Sequence, residues 1–236
     1  MRLIPLLCLL SVAGCVSTVE SGQTSRPAPA QAVQKAPSVP TRSKIQQFQT
    51  VVNTVEPVAE RECRARTSGQ NCDFRIVVDD REGQPSNAYQ TVDKSGRPIL
   101  AFTLALIADV RNRDELAFVM GHEAAHHIQG HIPRQQQNAA TGAILLGGLA
   151  VLTGANSAVI EQAVDIGAGV GARSYSKNFE LEADALGTLI TKRAGYDPVK
   201  GAEFFTQIPD PGDRFLGTHP PNAQRIETVR RVNAGL

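Results

Sequence analysis

The sequence has no tryptophan, and only 5% of its 236 residues are aromatic. Its core must therefore consist mainly of Ala, Leu, Val and Ile side chains. It also lacks an excess of one charge, because 24 basic and 23 acidic residues leave a formal net charge of +1. No long basic run interleaved with aromatic residues occurs, which argues against nucleic acid as a partner. Length and composition indicate one well-packed domain with extensions.

The first residues have the features of a secretion signal. Arg2 provides a positive charge, and the apolar stretch 3–12 is too short to cross a bilayer as a helix. The run Val12-Ala13-Gly14-Cys15 resembles a bacterial lipobox, in which the cysteine is lipidated. A plain secretion signal with a chance cysteine is the alternative. Val16 is not an aspartate, so the resemblance to Gram-negative lipoprotein sorting favours the outer membrane, facing the periplasm.

These features divide the chain into three parts. Residues 1–14 are predicted to be a lipoprotein signal peptide. Residues 15–43 are predicted to be the lipidated Cys15 followed by a flexible tether, because that stretch is rich in Ser, Thr, Pro, Gln and Ala. The folded domain is predicted over residues 44–236.

The cysteines fit an oxidising compartment. Cys8 leaves with the signal and Cys15 is the predicted lipid anchor, which leaves Cys63 and Cys72 at the two ends of a short loop. We predict a disulfide between them, and two buried free thiols are the alternative.

The hydrophobic pattern predicts a mostly helical α+β domain with a small sheet or hairpin. Predicted strands are 74–78, 87–92 and 97–102, the last two joined by Lys94-Ser95-Gly96 as a hairpin. Predicted helices are 45–66 with a possible break at Pro57, 104–110, 116–132 ended by Pro133, 178–194, 199–207 and 222–232.

One long stretch, residues 139–160, contains no charged side chain. It is rich in Gly and Ala and is interrupted by polar residues, so it is a weak candidate for a membrane span. We expect mobile helices or a loop packed beside the functional site, where an exposed apolar surface can contact lipid or unfolded chains.

The motif His122-Glu123-x-x-His126 lies in the predicted helix 116–132, with Asn112 as a capping residue. Residues four apart share a helix face, so both imidazoles can reach one metal ion. Glu123 is one step round the helix and can act as a general base toward a water molecule at the metal. A surface histidine cluster or satisfied core histidines are the structural alternatives.

Catalytic zinc normally takes three protein ligands. Glu180 is the best third donor, and Asp184 shares its helix face and can hydrogen-bond a ligating histidine. Glu182 is expected to face solvent. His127 and His131 are not expected to be ligands, because His127 is on a different face and His131 lies more than a turn beyond His126.

The order of these motifs resembles the M48 family of zinc metallopeptidases. The resemblance is carried by His122-Glu-Ala-Ala-His126, Glu180-x-x-x-Asp184, Thr218-His219-Pro220-Pro221 and Arg225. Asn87-Ala88-Tyr89 also resembles the family's Asn-Ala-aromatic strand. The match runs from about residue 45 to the C-terminus and implies a compact gluzincin domain.

The resemblance also implies roles for single residues. It places the zinc ligands at His122, His126 and Glu180, the catalytic glutamate at Glu123 and a supporting carboxylate at Asp184. His219 is expected to block the open metal position or to stabilise the oxyanion, with Arg225 assisting the same charge. A capping histidine and a surface arginine are the alternatives for these two. The substrate-binding strand falls on Asn87, Ala88 and Tyr89, which could pair with an extended substrate backbone.

The sequence therefore predicts an endopeptidase with one Zn2+ per chain. Its expected substrates are misfolded or unassembled envelope proteins, and its expected membrane contact is the N-terminal lipid anchor. A non-catalytic or self-inhibited chaperone or adaptor for outer-membrane proteins is the main alternative. A purely structural zinc site is disfavoured because such a site needs four ligands and no base.

Overall fold

The computed structural model describes residues 39–174, 176–214, 217 and 219–236. The predicted signal peptide, Cys15 and most of the tether lie outside the described residues. The elements in chain order are α1 (Arg42–Arg66), β1 (Arg75–Asp79), β2 (Ala88–Val92), β3 (Pro98–Thr103), α2 (Leu104–Asp109), α3 (Arg113–Ile128), α4 (His131–Leu152), α5 (Ser157–Ser174), α6 (Ser176–Arg193), α7 (Pro198–Gly201), a 3₁₀ helix (Ala202–Thr206) and α8 (Asn222–Ala234).

The sheet has three strands in the order β1-β3-β2. β2 and β3 form the predicted antiparallel hairpin, whose turn has Gly96 at φ 81° and Asp93 accepting hydrogen bonds from the backbone of Ser95 and Arg97. β1 runs parallel to β3. The prediction of a mostly helical domain with a small sheet is therefore confirmed.

Helix α1 supplies one wall of the main core. Val51 and Val55 are fully buried, and Phe48 packs edge-to-face on Phe102 of β3 with ring centroids 5.3 Å apart. The predicted break at Pro57 does not occur, and α1 continues through it. Pro57 lies on the exposed side of the helix, where the carbonyl that loses its partner can meet water.

The disulfide Cys63–Cys72 is formed, and it joins the end of α1 to the segment before β1. Its loop contacts α3 at His127. The imidazole Nε2 of His127 lies 2.7 Å from the carbonyl oxygen of Asn71, and the amide of Gln70 donates 2.5 Å to the carbonyl of His127. The covalent loop is thus packed against the C-terminal turn of the helix that carries the His-Glu-x-x-His motif.

The predicted end of this helix at Pro133 is wrong. α3 ends at Ile128, and Gly130 adopts a left-handed conformation with φ 65° and ψ 37°. A new helix, α4, begins at His131 and includes Pro133 in its first turn. Proline is tolerated there because the first backbone N–H groups of a helix have no partner within it, whereas glycine readily adopts positive φ.

Helices α3 and α6 cross closely at two glycines. A Cβ on Gly187 would lie 2.9 Å from the backbone nitrogen of His122, and one on Gly121 would lie 3.0 Å from the carbonyl oxygen of Gly187. Larger side chains at either position would push the helices apart. This contact therefore sets the separation between the motif on α3 and the acidic residues on α6.

The uncharged stretch 139–160 belongs to a helical hairpin made by α4 and α5. The two helices approach through glycine, since a Cβ on Gly167 would lie 2.2 Å from the carbonyl oxygen of Gly142. Several apolar side chains of the hairpin face outward, and Leu152 and Ile144 are 86% and 74% exposed. Within the described part of the chain, no helix is long and apolar enough to cross a membrane.

Candidate metal centre

The helix that carries the motif starts with the expected cap. The side chain of Asn112 accepts a hydrogen bond from the backbone N–H of Glu115 at 3.0 Å. The Glu115 carboxylate is fully buried and turns back to accept 2.7 Å hydrogen bonds from the backbone and the guanidinium of Arg111. This local network fixes the first turn of α3, and so fixes the rotation of the helix from which the histidines project.

Three side chains from α3 and α6 converge on one point. His122, His126 and Glu180 each offer one ligand atom, and these atoms all lie within 4.8 Å of one another. The Nε2 atoms of the two histidines are 3.0 Å apart, and Nε2 of His126 is 3.4 Å from Oε1 of Glu180. The structure thus brings together the three residues that the sequence analysis selected as ligands.

The electrostatics of this cluster favour a cation. Burial opposes the ionised form of Glu180, but hydrogen bonds with His126 and His219 and the charge of Arg225 hold its pKa well below the ordinary value. Burial lowers the pKa of His126, but the hydrogen bond with Glu180 and the charge of Glu123 outweigh this effect, so the pKa of His126 is raised. The carboxylates therefore attract positive charge to the point where the imidazoles meet.

The carboxylate of Asp184 supports His122 from behind. Its Oδ1 lies 3.0 Å from Nδ1 of His122 and the side chain is completely buried. Arg225 of α8 donates two hydrogen bonds to the same carboxylate at 2.8 and 2.7 Å. Arg225 is only 5% exposed and stacks over the ring of Phe205 at 4.0 Å, so it is not a surface arginine.

His219 lies against the cluster from the segment before α8. Its Nδ1 atom is 3.2 Å from Oε2 of Glu180, and its side chain is 54% exposed. Arg225 also approaches Glu180 to 3.2 Å. Both residues that the resemblance linked to the open metal position thus contact the candidate ligand Glu180.

A cleft of about 500 Å³ opens onto these residues. Glu123 lines it beside the three clustered side chains, as do His219 and Arg225. Asn87, Ala88 and Tyr89 line the same cleft from the start of β2. Among the described strands β2 pairs with β3 alone, so its other edge is available along the cleft.

A second set of residues, which was not predicted from the sequence, lies behind His126. His131 is almost fully buried, and its Nδ1 atom lies 2.8 Å from Nδ1 of His126. Glu182 was expected to face solvent. Although 37% of its side chain is exposed, its carboxylate lies 3.2 Å from Nε2 of His131 and accepts two hydrogen bonds from Arg134. The signal in the sequence was Gly130, whose left-handed conformation folds the next residue back onto His126.

The donor set fits zinc. Two neutral imidazole nitrogens and one carboxylate are ligands that zinc accepts, and three protein ligands leave a coordination position open. A carboxylate at Asp184 on the far nitrogen of His122 is the usual partner of a ligating histidine. The site has two histidines from one helix, a glutamate from a second helix and Glu123 beside them. This is the arrangement of a gluzincin-type metal centre.

Comparison with known proteins identifies the family. Residues 46–233 match the pattern of Peptidase family M48, which covers most of the chain. The chain belongs to peptidase family M48, a family of metallopeptidases, and His122, His126 and Glu180 form its candidate zinc site. The resemblance seen in the sequence is confirmed.

The individual relatives share about 30% sequence identity with this chain. The chain is 33% identical over 145 residues to the putative beta-barrel assembly-enhancing protease of Vibrio cholerae, covering 56% of this chain and 30% of that protein. It is 32% identical over 145 residues to the beta-barrel assembly-enhancing protease of Escherichia coli O157:H7, covering 52% and 28%. It is 29% identical over 165 residues to the mitochondrial metalloendopeptidase OMA1 of Saccharomyces cerevisiae, covering 66% and 45%. The chain thus spans less than a third of the bacterial relatives' length.

Proposed function

We propose that this chain is a zinc-dependent endopeptidase that hydrolyses peptide bonds of misfolded or unassembled envelope proteins. The observation that carries the proposal is the meeting of the His122-His126-Glu180 cluster with Glu123 in one cleft. A metal site with a base beside it, at the floor of an open cleft, is suited to hydrolysis rather than to structural support.

Each residue of the site has its own role in peptide hydrolysis. Zinc bound to the cluster supplies Lewis acidity toward a peptide carbonyl and lowers the pKa of water. Glu123 takes the proton of the attacking water and returns it to the leaving amine. His219 donates a hydrogen bond to the oxygen on which negative charge develops, and Arg225 adds a buried positive charge nearby. Asp184 keeps Nε2 of His122 directed at the metal position.

The substrate class follows from the edge of β2. An extended peptide can add as a strand to this edge, with Asn87, Ala88 and Tyr89 at the cleft. Chains that are unfolded or not yet assembled offer extended backbone of this kind. The names of the bacterial relatives, beta-barrel assembly-enhancing proteases, support substrates in the bacterial envelope.

The location proposed is the outer membrane, facing the periplasm, with Cys15 as a lipid anchor and residues 15–43 including the tether. The lipobox-like run before Cys15 supports this. Metabolic labelling with a radioactive or clickable fatty acid tests it, since Cys15→Ser should lose the label and leave the membrane fraction. Equal labelling of both forms would rule out the anchor.

The experiment for the activity compares the full chain with Glu123→Gln. We expect both to bind one zinc, and the variant to cleave unfolded casein at least about 100-fold more slowly because the base is missing. Glu227→Gln, an exposed position on α8, is the matched control and should cleave at the wild-type rate. If Glu123→Gln cleaves as fast as the control, or if neither the wild type nor the variants cleave, the protease proposal fails.

A self-inhibited chaperone or adaptor is the second candidate, and the position of His219 on Glu180 favours it. If His219 stabilises developing charge, His219→Ala should lower cleavage about 100-fold and leave zinc content unchanged. If His219 instead blocks the open position, the same variant should cleave faster than the wild type. A rise in the cleavage rate would therefore favour the second candidate over the first.

A further inference from the structure

The side chain of His131 is the buried neighbour of a candidate ligand. Gly130 turns the chain between α3 and α4, so that His131 lies beside His126 with their Nδ1 atoms 2.8 Å apart. His131 is 4% exposed, so water does not compete freely for this contact. Two ring nitrogens at this distance must share one proton, with one nitrogen donating and the other accepting.

The cluster decides the direction of this hydrogen bond. His126 faces His122 and Glu180 with Nε2, and that nitrogen must be unprotonated to bind a metal ion. Its proton is therefore on Nδ1, which donates to Nδ1 of His131. The proton of His131 is then on Nε2, where the carboxylate of Glu182 accepts it at 3.2 Å. Each hydrogen-bonding atom in the His126–His131–Glu182 network is thus assigned as either a donor or an acceptor.

Arg134 and Phe179 hold Glu182 and His131 in place. Arg134 donates to both oxygens of Glu182, at 2.6 and 3.2 Å. The ring of Phe179 stacks on His131, with ring centroids 4.6 Å apart and an angle of 12° between the planes. The guanidinium of Arg134 lies over the ring of Phe179, 4.4 Å from its centroid. The imidazole of His131 can therefore neither tilt nor turn without losing stacking.

The two candidate ligands are supported in parallel ways. Nδ1 of His122 contacts the carboxylate of Asp184, and Arg225 donates a hydrogen bond to that carboxylate. His126 reaches its carboxylate, Glu182, through an intervening histidine, and Arg134 holds that carboxylate. Each imidazole is thus connected to an acid–arginine pair, directly in one case and through His131 in the other.

We propose that His131 and Glu182 are positioning residues that fix the tautomer and ring orientation of His126, and thereby strengthen zinc binding by the cluster. The proposal rests on the proposed function in taking His122, His126 and Glu180 as the zinc ligands. It concerns the affinity and geometry of the metal site, so it can be tested without measuring proteolysis.

The test measures zinc dissociation constants of the full chain by competition with a chromophoric chelator at pH 7.5. His131→Leu removes the acceptor for His126 and should weaken zinc binding about 10–100-fold. His131→Asn should recover part of the loss, because its Oδ1 can take the place of Nδ1 as acceptor. Glu182→Gln should weaken binding less, about three- to tenfold, since it keeps an acceptor oxygen but no charge.

His127→Leu is the matched control. His127 is the next histidine on α3 and is similarly buried, but its Nε2 contacts the carbonyl of Asn71 and not the cluster. It should bind zinc within about twofold of the wild type. Visible absorption of the Co2+-loaded protein provides a second readout, because a reoriented His126 changes the ligand field. The cobalt bands should shift in His131→Leu and stay unchanged in His127→Leu.

The outcomes separate this proposal from the proposed function. If His126→Ala binds zinc as tightly as the wild type, the cluster is not the metal site and the proposed function fails with it. If His126→Ala loses zinc while His131→Leu and Glu182→Gln stay within twofold and keep the cobalt spectrum, the positioning role alone is overturned. Should His131→Leu fail to fold by circular dichroism, His131→Asn and Glu182→Gln decide the question by the same limits.

Discussion

Arg225 holds Asp184 through two hydrogen bonds of 2.8 and 2.7 Å, in a place where both side chains are buried. Since Asp184 also lies 3.0 Å from Nδ1 of His122, one ion pair connects α8 to the candidate metal centre on α3 and α6. The C-terminal helix is therefore part of the site and not only an outer layer of the fold.

Substitution of Arg225 should lower the free energy of unfolding and weaken the candidate metal site. Arg225→Leu leaves the charge of Asp184 buried without its partner, which costs about 3–5 kcal/mol in the free energy of unfolding. Urea denaturation of the zinc-free protein measures this. Arg230→Leu, exposed on the same helix, is the control and should change stability by less than about 0.5 kcal/mol. The double variant with Asp184→Asn should recover part of the loss, and strictly additive effects would contradict the pairing.

Two glycines of the α4–α5 hairpin should respond to alanine with opposite signs. A Cβ on Gly167 would collide with the carbonyl of Gly142, whereas a Cβ on Gly169 would meet nothing within 4 Å. Gly167→Ala should therefore destabilise the hairpin by about 1–3 kcal/mol, and Gly169→Ala should stabilise it by about 0.4–1 kcal/mol. Hydrogen exchange of amides in residues 131–174 is the measurement. A stabilising effect of Gly167→Ala would show that the helices do not pack through Gly167.

Stability should depend on pH through Glu62. Burial raises the pKa of this carboxyl, but hydrogen bonds from Arg193 and Arg66 outweigh it, so the pKa in the folded state is below the ordinary 4.5. A carboxyl with a lowered pKa contributes stability above the pKa of the unfolded chain and loses it as pH falls through the folded value.

The comparison is therefore between Glu62→Gln and the wild type in urea denaturation from pH 7 to pH 3. The variant should be less stable at pH 7, and the difference should shrink below pH 4.5. Glu60→Gln removes a surface pair with Arg64 and should change stability by at most about 1 kcal/mol. A constant difference for Glu62→Gln across this range would contradict the ion pairs.

Reduction of the Cys63–Cys72 disulfide should lower stability and loosen the end of α3. Closing a loop with a sequence separation of 9 stabilises by about 2–3 kcal/mol through the entropy of the unfolded chain. Thermal unfolding with and without a reductant measures the effect in the wild type. The Cys63→Ser/Cys72→Ser protein should unfold at the same temperature as the reduced wild type, with or without the reductant. Identical transitions of the oxidised and reduced wild type would show that the bond contributes nothing.

The boundary between α3 and α4 shows where sequence patterns reach their limit. Both Gly130 and Pro133 are signals for a helix end, and the sequence alone does not rank them. Packing decides, because the left-handed turn at Gly130 lets α4 leave α3 and lets His131 become buried on His126. Proline then fits the first turn of α4 without loss of a hydrogen bond.

The sequence by itself determined what depends on neighbours along the chain. A spacing of four places His122 and His126 on one helix face, as it does Glu180 and Asp184, because 3.6 residues make one turn. Asn112 caps α3 through a contact only three residues long. The order of these motifs was enough to indicate the M48 family and the candidate ligands.

Only the tertiary structure decided how helices distant in the chain face one another. The burial of Arg225 on Asp184, the close crossing at Gly121 and Gly187 and the contact of Glu182 with His131 all depend on the rotation and separation of packed helices. No periodicity encodes these quantities, because they result from the simultaneous fit of many side chains at interior density. The sequence thus indicated the candidate ligands, while packing brought them into contact with the charged and hydrogen-bonding groups that hold them.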